Sequence, residues 1–312
     1  MTESTGTRPL VSIALPVFNG ERFLLAACRS LLDQTYRNIE LIIGDNASTD
    51  GTRAICEELA ANDSRVRYLR SPENRGAAWN YNRLLPEAKG KYFKWAAHDD
   101  LYEPTWLERC VTALEADPGL ALAYTRTIEV DPDGVELERY RPLPYAAGGR
   151  PSQRAHEVLA KRSRCFEAFG LAPRWAVEGT GLIGPYTSSD RTLILEFALR
   201  GRFYEVPEYL FLHREHPGRS MRAFPDARAR RAWFEPGARD KRAFPLWRLL
   251  AEYVKSVRRA PISYVEKVRT LGYIGLWSLH NRRQLFDDVS QGLRSRPNQP
   301  QAPTPPATPV RL

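Results

Sequence analysis

The sequence predicts an α/β fold: a mainly parallel central sheet flanked by helices, with a C-terminal helical extension. Three observations carry this. Short apolar runs alternate with helical periodicity over the first hundred or so residues. Each run breaks off at a cluster of small and acidic residues. The charge is also divided, with 29 Lys/Arg against 30 Asp/Glu in residues 1–225 and 17 against 7 in residues 226–312. A chain of 312 residues holds one large α/β domain with extensions, or two domains.

The elements follow in order. Residues 10–17 read as a buried strand and Phe18-Asn19-Gly20 as its turn. Residues 21–34 have helical periodicity, with Phe23, Leu24, Ala27 and Leu31 on one face. Residues 39–44 form a second strand running into a loop, 45–52, rich in capping residues, and a helix follows over 52–61. Residues 66–69 are a third strand, and Asn74-Arg75-Gly76 opens a helix to about residue 88. An aromatic run from Lys91 then ends in His98-Asp99-Asp100. Such alternation builds a doubly wound sheet that binds ligands at the carboxyl ends of its strands. Residues 16–19, 45–50 and 98–100 therefore converge on one edge.

Asp99 and Asp100 are adjacent carboxylates beside an apolar strand, where like charges repel in a low dielectric. A divalent cation, Mg²⁺ or Mn²⁺, compensates them and keeps phosphate in its shell. The alternative is a strand that ends in a polar turn.

Further on, a helix over 106–116 ends at Asp117-Pro118-Gly119, and strands over 120–130 and 135–140 flank the turn 131–134. The Pro/Gly-rich stretch 142–151 reads as a mobile loop and 153–169 as helical. A glycine-rich loop from Gly181 leads into a helix to Arg200, with Asp190 where a carboxylate favours a helix N-terminus. His213, Arg214, His216 and Arg219 cluster at a strand-to-loop junction suited to anionic phosphates. Basic helical stretches interleaved with aromatics fill 228–288, either packed on the main domain or facing anionic lipid. No nucleic-acid module accompanies the charge, so nucleic acid is not an expected partner. Cys28, Cys56, Cys110 and Cys165 are widely spaced, as for reduced thiols. The polar N-terminus has no signal-peptide core, and no apolar run is long enough to span a bilayer.

The segments SIALPVFNGE, ELIIGDNASTDGT, ENRGAAWNYN and KWAAHDD resemble the nucleotide-diphospho-sugar-binding half of family 2 glycosyltransferases, which have the GT-A fold. The resemblance covers about residues 8–220. The polar residues 1–8 read as a disordered start, and the resemblance implies a GT-A domain over 9–225, with its nucleotide-binding half at 9–117 and acceptor-binding half at 118–225. A basic helical extension over 226–291 and a disordered tail over 292–312 complete the expected organisation. By the same resemblance Pro16, Val17, Phe18, Glu21, Asp45, Asn74, Arg75, Gly76, His98, Asp99 and Arg214 serve the nucleotide-sugar. Asp45 would accept from the base, while its other reading is a turn or cap residue. Arg75 is equally compatible with the open surface. Asp100 would bind the metal (Mn²⁺ or Mg²⁺), with His216 favoured over His213 beside it. His98 stands where the family's DXD motif begins with Asp, which leaves its role open. The loop holding Arg214, His216 and Ser220 would close over the diphosphate. Asp190 would act as general base, with Glu178 as the second candidate.

The implied activity is inverting transfer of a sugar from a nucleotide donor to a hydroxyl of a saccharide or lipid-linked acceptor, in surface polysaccharide or glycolipid assembly. The implied location is the cytoplasm or the inner face of the cell membrane. A sugar nucleotidyltransferase would carry a Gly/Arg-rich loop where this chain reads Pro16-Val17-Phe18-Asn19-Gly20. A processive membrane synthase would carry spanning helices and a QxxRW-like motif. A non-catalytic binding protein with the same fold remains the rival of a different class.

Overall fold

The first strand, β1 (Val11–Val17), is buried at every residue, as a strand covered on both faces must be. The computed structural model describes residues 8–141, 145–161, 163–223, 227–235 and 244–294. After β1 come α1 (Leu24–Leu32), β2 (Ile39–Asp45), α2 (Thr52–Asn62), β3 (Val66–Arg70), α3 (Ala77–Asn82) and β4 (Tyr92–Trp95). The chain continues through β5 (Leu101–Tyr102), α4 (Trp106–Ala116), β6 (Leu120–Val130), β7 (Glu136–Tyr140), α5 (Pro151–Ala160), β8 (Ala172–Pro173), α6 (Arg174–Glu178), α7 (Ser189–Arg200) and β9 (Arg202–Arg214). The C-terminal part holds α8 (Ser220–Ala223), α9 (Ala227–Phe234), α10 (Pro245–Arg259), α11 (Tyr264–His280) and α12 (Arg282–Arg294).

One sheet has the order β3-β2-β1-β4-β8, parallel except for β8. The second, β5-β9-β6-β7, is mixed: β9 runs parallel to β6 and antiparallel to β5. The short link between β4 and β5 crosses from one sheet to the other, and it contains His98, Asp99 and Asp100. Because β5 pairs with the end of β9, Leu101 lies opposite Leu212, which brings His213 and Arg214 beside the two carboxylates.

Three expectations need correcting. The helix expected over 74–88 is only α3, because the Pro86 ring would collide with the Asn82 carbonyl one turn back. The helix expected over 153–169 ends with α5, where Lys161 turns extended (ψ 141°), and a separate 3-10 turn at Phe166–Phe169 follows Cys165, which has a φ of 64°. The stretch expected to be a mobile loop is anchored at Tyr145 and Ala146, which are buried, with the Phe203 amide donating to the Ala146 carbonyl at 2.8 Å, while residues 147–150 are exposed. Its residues 142–144 lie outside the described residues, as do 1–7 and 295–312, on which the expected disorder falls.

The C-terminal helices are part of the core. Leu249, Tyr253, Val257 and Ile274 from α10 and α11 pack in one apolar cluster with Leu193, Phe197 and Ala198 of α7. Helix α12 runs to Arg294, past the expected boundary at 291. All four cysteines are free and buried, and Cys28 and Cys110 pack as small core side chains. Among the described residues no helix is long and apolar enough to cross a membrane.

One polar contact ties α10 to α7. The Glu196 carboxylate is 1% exposed and takes Arg259 Nη1 on one oxygen and the Gly181 amide on the other, each at 2.5 Å. Removing the guanidinium leaves a buried carboxylate with one charged bond fewer. Arg259→Ala is therefore expected to lower unfolding stability by about 2 kcal/mol in urea melts. Glu196→Gln, which removes the charge, should make the further loss of Arg259 nearly neutral. Additive losses in the double variant would contradict this coupling.

Candidate active site

The loops after β1 and β2 are laced together. Asn19 donates its amide to Ser48 Oγ and accepts the Thr49 amide on Oδ1, both at 2.9 Å. The Gly20 amide donates to Thr52 Oγ1 at 2.9 Å and the Glu21 amide to Asp50 Oδ2 at 3.1 Å. Glu21 in turn accepts the Gly51 amide. Its carboxylate, expected beside the nucleotide, thus organises the loop. Pro16 and Val17 are buried, while Phe18 is 41% exposed.

Asp45 has no exposed surface. Its Oδ1 accepts the Ser48 amide at 2.8 Å, and its Oδ2 accepts from Tyr68 at 2.8 Å and from Arg70 at 2.5 Å. Burial alone would raise its pKa, but these bonds outweigh it and hold the carboxyl below its ordinary value. The side chain expected to read the base is here committed to its own loop. Asn46 joins that loop to the next: it donates to Asn74 Oδ1 and the Gly76 carbonyl, and accepts the Arg75 amide. Gly76, at φ 88°, supplies the left-handed turn that enters α3. Arg75 is exposed and lies over the Trp79 ring at 4.3 Å.

The carboxylate pair sits at the crossing between the sheets. Asp100 is 1% exposed; its Oδ1 accepts the Arg214 amide at 3.0 Å and lies 3.0 Å from His213 Nδ1. Its Oδ2 is buried with no hydrogen-bond partner among the described residues. Asp99 pairs with His216, Oδ2 to Nε2 at 2.8 Å. Burial would raise the Asp99 pKa, but the charge of His98 and the bond and charge of His216 hold it well below the carboxylate range. So His213, and not His216, is the imidazole beside Asp100. The sequence reading favoured His216; the register of β9 against β5 sets His213 there instead and leaves His216 on Asp99. His98 packs on the loop after β1, where a Cβ at Gly20 would come within 2.6 Å of its ring.

Arg214, expected on phosphate, is buried with its guanidinium on the carbonyls of Asp99, Asp131 and Pro132. Arg219 is the cation that feels Asp100 and Asp99 while pairing with Glu215; burial pulls its pKa down and those acids oppose the shift. The side chain of Ser220 lies outside the described residues.

Asp190 lies in the first turn of α7, with Oδ1 accepting the Arg191 amide at 2.8 Å. Burial raises its pKa, and the Arg191 amide and charge only partly offset this. Non-glycine residues with positive φ flank it: Cys165, Leu182 and Ser188. The loop before α7 is pinned to α3 because Asn82 donates to the Ile183 carbonyl at 2.9 Å and accepts its amide at 3.0 Å. Tyr81, the neighbour of Asn82, has its phenol pKa raised by burial and then by the charges of Asp99, Asp100 and Asp190. The three carboxylates therefore share one region around a tyrosine that sequence reasoning missed. Glu178, the second candidate base, is exposed and paired with Arg174.

The buried Asp100 and part-buried Asp99, each near an imidazole, form a donor set suited to Mn²⁺ or Mg²⁺, and the unpartnered Asp100 Oδ2 fits such an ion. Among the described residues no three His, Cys, Asp or Glu side chains already form a cage. Substrate oxygens would have to complete the shell.

Similar folds and sequences bear on this arrangement. The chain matches chondroitin synthase of Escherichia coli at 35% identity over 126 residues, 40% of this chain and 18% of that one. It matches the putative teichuronic acid biosynthesis glycosyltransferase TuaG of Bacillus subtilis (strain 168) at 31% over 140 residues, 45% of this chain and 55% of that one. Across the first three curated relatives the chain spans only 18–32% of their length. Among solved structures, S. aureus TarS 1–349 in complex with UDP-GlcNAc superposes with a TM-score of 0.65 at 13% identity, covering 91% of this chain and 80% of that one. The Pyrobaculum calidifontis mannosyltransferase PcManGT, in complex with GDP-Man and Mn²⁺, gives 0.55 at 18%, covering 92% and 74%. These likenesses bear out the α/β GT-A architecture, with helices on the sheet and at the C-terminus. The model for the glycosyl transferase family 2 matches residues 12–167, half of the chain, and the protein belongs to that family.

Proposed function

We propose that the protein is an inverting, metal-dependent glycosyltransferase that moves a sugar from a nucleotide-diphosphate donor to an acceptor hydroxyl in polysaccharide or glycolipid assembly. The observation that carries this reading is the adjacent Asp99 and Asp100 at the crossing between the sheets, each beside an imidazole, with a buried Asp100 oxygen that has no partner among the described residues. The complexes of TarS with UDP-GlcNAc and of PcManGT with GDP-Man and Mn²⁺ support a nucleotide-sugar donor and a divalent ion.

In this reading the laced loops after β1 and β2, with Asn74 to Gly76, form the base and ribose pocket, and Phe18 lies at its mouth. Asp45 with Arg70 keeps that pocket in shape. Asp100 would hold the ion, flanked by His213, while Asp99 with His216 faces the ribose and diphosphate. A bound divalent cation would supply positive charge for the departing diphosphate. Arg219 adds a second cation to that region. Asp190 takes the proton from the acceptor hydroxyl as the oxygen forms its bond to the anomeric carbon. The carbon–diphosphate bond breaks on the opposite face, so configuration inverts. The raised pKa of Asp190 makes its carboxylate a stronger base than an exposed one.

The test is Asp190→Asn. It should lower kcat by about 100-fold or more while leaving nucleotide affinity unchanged. Equal turnover in the variant would remove Asp190 from the mechanism, and absent turnover in the wild type would favour a binding protein.

The same residue sets a pH dependence. Because the carboxylate form is the active one, kcat should rise with pH through a midpoint above the ordinary aspartate range. Folding favours the protonated form of a group whose pKa is raised, so its stabilising contribution is present at acid pH and lost as pH rises through the folded-state pKa. Asp190→Asn should therefore melt no lower than wild type at neutral pH. A lower melting temperature there would contradict the burial argument.

A further inference from the structure

Burial works against a base. A carboxylic acid out of water keeps its proton because the charged form loses its hydration, whereas a base must be ionised when a hydroxyl arrives. Asp190 is in this position, and the residue after it opposes the effect of burial twice. The Arg191 amide donates to Asp190 Oδ1 at 2.8 Å, and the Arg191 charge acts on the carboxylate through space.

The Arg191 side chain is held where it can do this. Its Nη2 donates at 2.8 Å to the carbonyl of Lys161, the residue that ends α5, where a helix leaves its carbonyls without internal partners. The Tyr253 phenol of α10, 1% exposed, is the other neighbour of the guanidinium. One side chain thus spans α5, α7 and α10, three helices that also share an apolar cluster with Cys165. Anchored on that carbonyl, the guanidinium forms no ion pair with Asp190 among the described residues, so the carboxylate stays open to a proton.

The groups facing Asp190 come from several elements. Cys165, just before the 3-10 turn, presents its thiol, and Tyr81 of α3 and Tyr253 of α10 present phenols. Asp99 and Asp100 act on the same Tyr81, and Glu167 acts on Cys165. Among all of these with Arg191, only Arg191 is a cation. Pairing the end of α5 would need a hydrogen-bond donor but no charge.

We propose that Arg191 is a positioning residue for the candidate base: fixed on the Lys161 carbonyl between α5 and α10, its guanidinium sets a permanent positive charge beside the Asp190 carboxylate without pairing with it. The charge lets a buried carboxylate persist, and the absence of an ion pair leaves it able to take the hydroxyl proton. This rests on the reading of Asp190 as base, but the relation between the two side chains is measured without donor, acceptor or turnover.

The experiment is carboxyl ¹³C NMR of the full-length protein labelled at aspartate and titrated over pH. The resonance absent from Asp190→Asn is that of Asp190. Arg191→Gln keeps a donor for the Lys161 carbonyl and removes the charge, whereas Arg191→Lys keeps the charge. The Asp190 midpoint should rise by about one pH unit or more in Arg191→Gln and stay near wild type in Arg191→Lys. Arg191→Met is a second neutral variant, and thermal melts show which variants are folded. A midpoint unmoved in a folded neutral variant, or moved as far by Arg191→Lys, overturns the proposal. In turnover, the kcat profile of Arg191→Gln should shift to higher pH by the same amount, with nucleoside diphosphate affinity unchanged. A purely structural loss would instead persist at every pH. The two failures are distinct: full turnover by Asp190→Asn removes the base, while an unmoved midpoint removes only Arg191.

Discussion

The constraint on which this structure turns is electrostatic: two adjacent carboxylates, Asp99 and Asp100, held where one sheet passes into the other. Asp99 is hydrogen-bonded to His216, just past β9, and Asp100 takes the Arg214 amide and lies 3.0 Å from His213 at the end of that strand. The second sheet exists, in effect, to bring that strand end across. β9 pairs with β6 along most of its length and with the two-residue β5 that directly follows Asp100. The orphaned Asp100 oxygen is costly in a buried setting, and such a cost is tolerable where a ligand completes it.

The parallel half was readable because its signals are local. Apolar runs bounded by Gly, Asn and Asp give strands and turns whatever lies around them, so β1, β2, β3, α2 and α4 fall within a residue or two of expectation. Site residues were readable as positions and less so as partners. Asp45 stands where an acid was expected, yet Tyr68 and Arg70, more than twenty residues on, take up its charge. Arg214 and Arg219 look alike in sequence, but only the β9 register turns the first into backbone carbonyls and leaves the second near the acids. Tyr81 carried no sequence signal at all, being one aromatic in a short helix.

The C-terminal helices show the same limit from another side. Their basic, amphipathic pattern fitted either a packed appendage or a surface-binding element, and pattern alone does not distinguish these. The packing does. Leu249, Tyr253 and Val257 continue the core that carries α7, and Arg259 reaches the buried Glu196 on that helix. Candidate base, loop and C-terminal helices thus form one mechanical unit. The exposed stripe on α11 remains on its outer side.

The central claim is that Asp100 belongs to a site shared by a divalent ion and a nucleoside diphosphate. Its most direct measurement is a thermal-shift panel of uridine, thymidine and guanosine diphosphates, with and without Mn²⁺, on wild type and Asp100→Asn. The account predicts stabilisation by one nucleotide that requires Mn²⁺ and disappears in the folded variant. Stabilisation indifferent to Mn²⁺ or to the substitution, or none with any nucleotide, would contradict it.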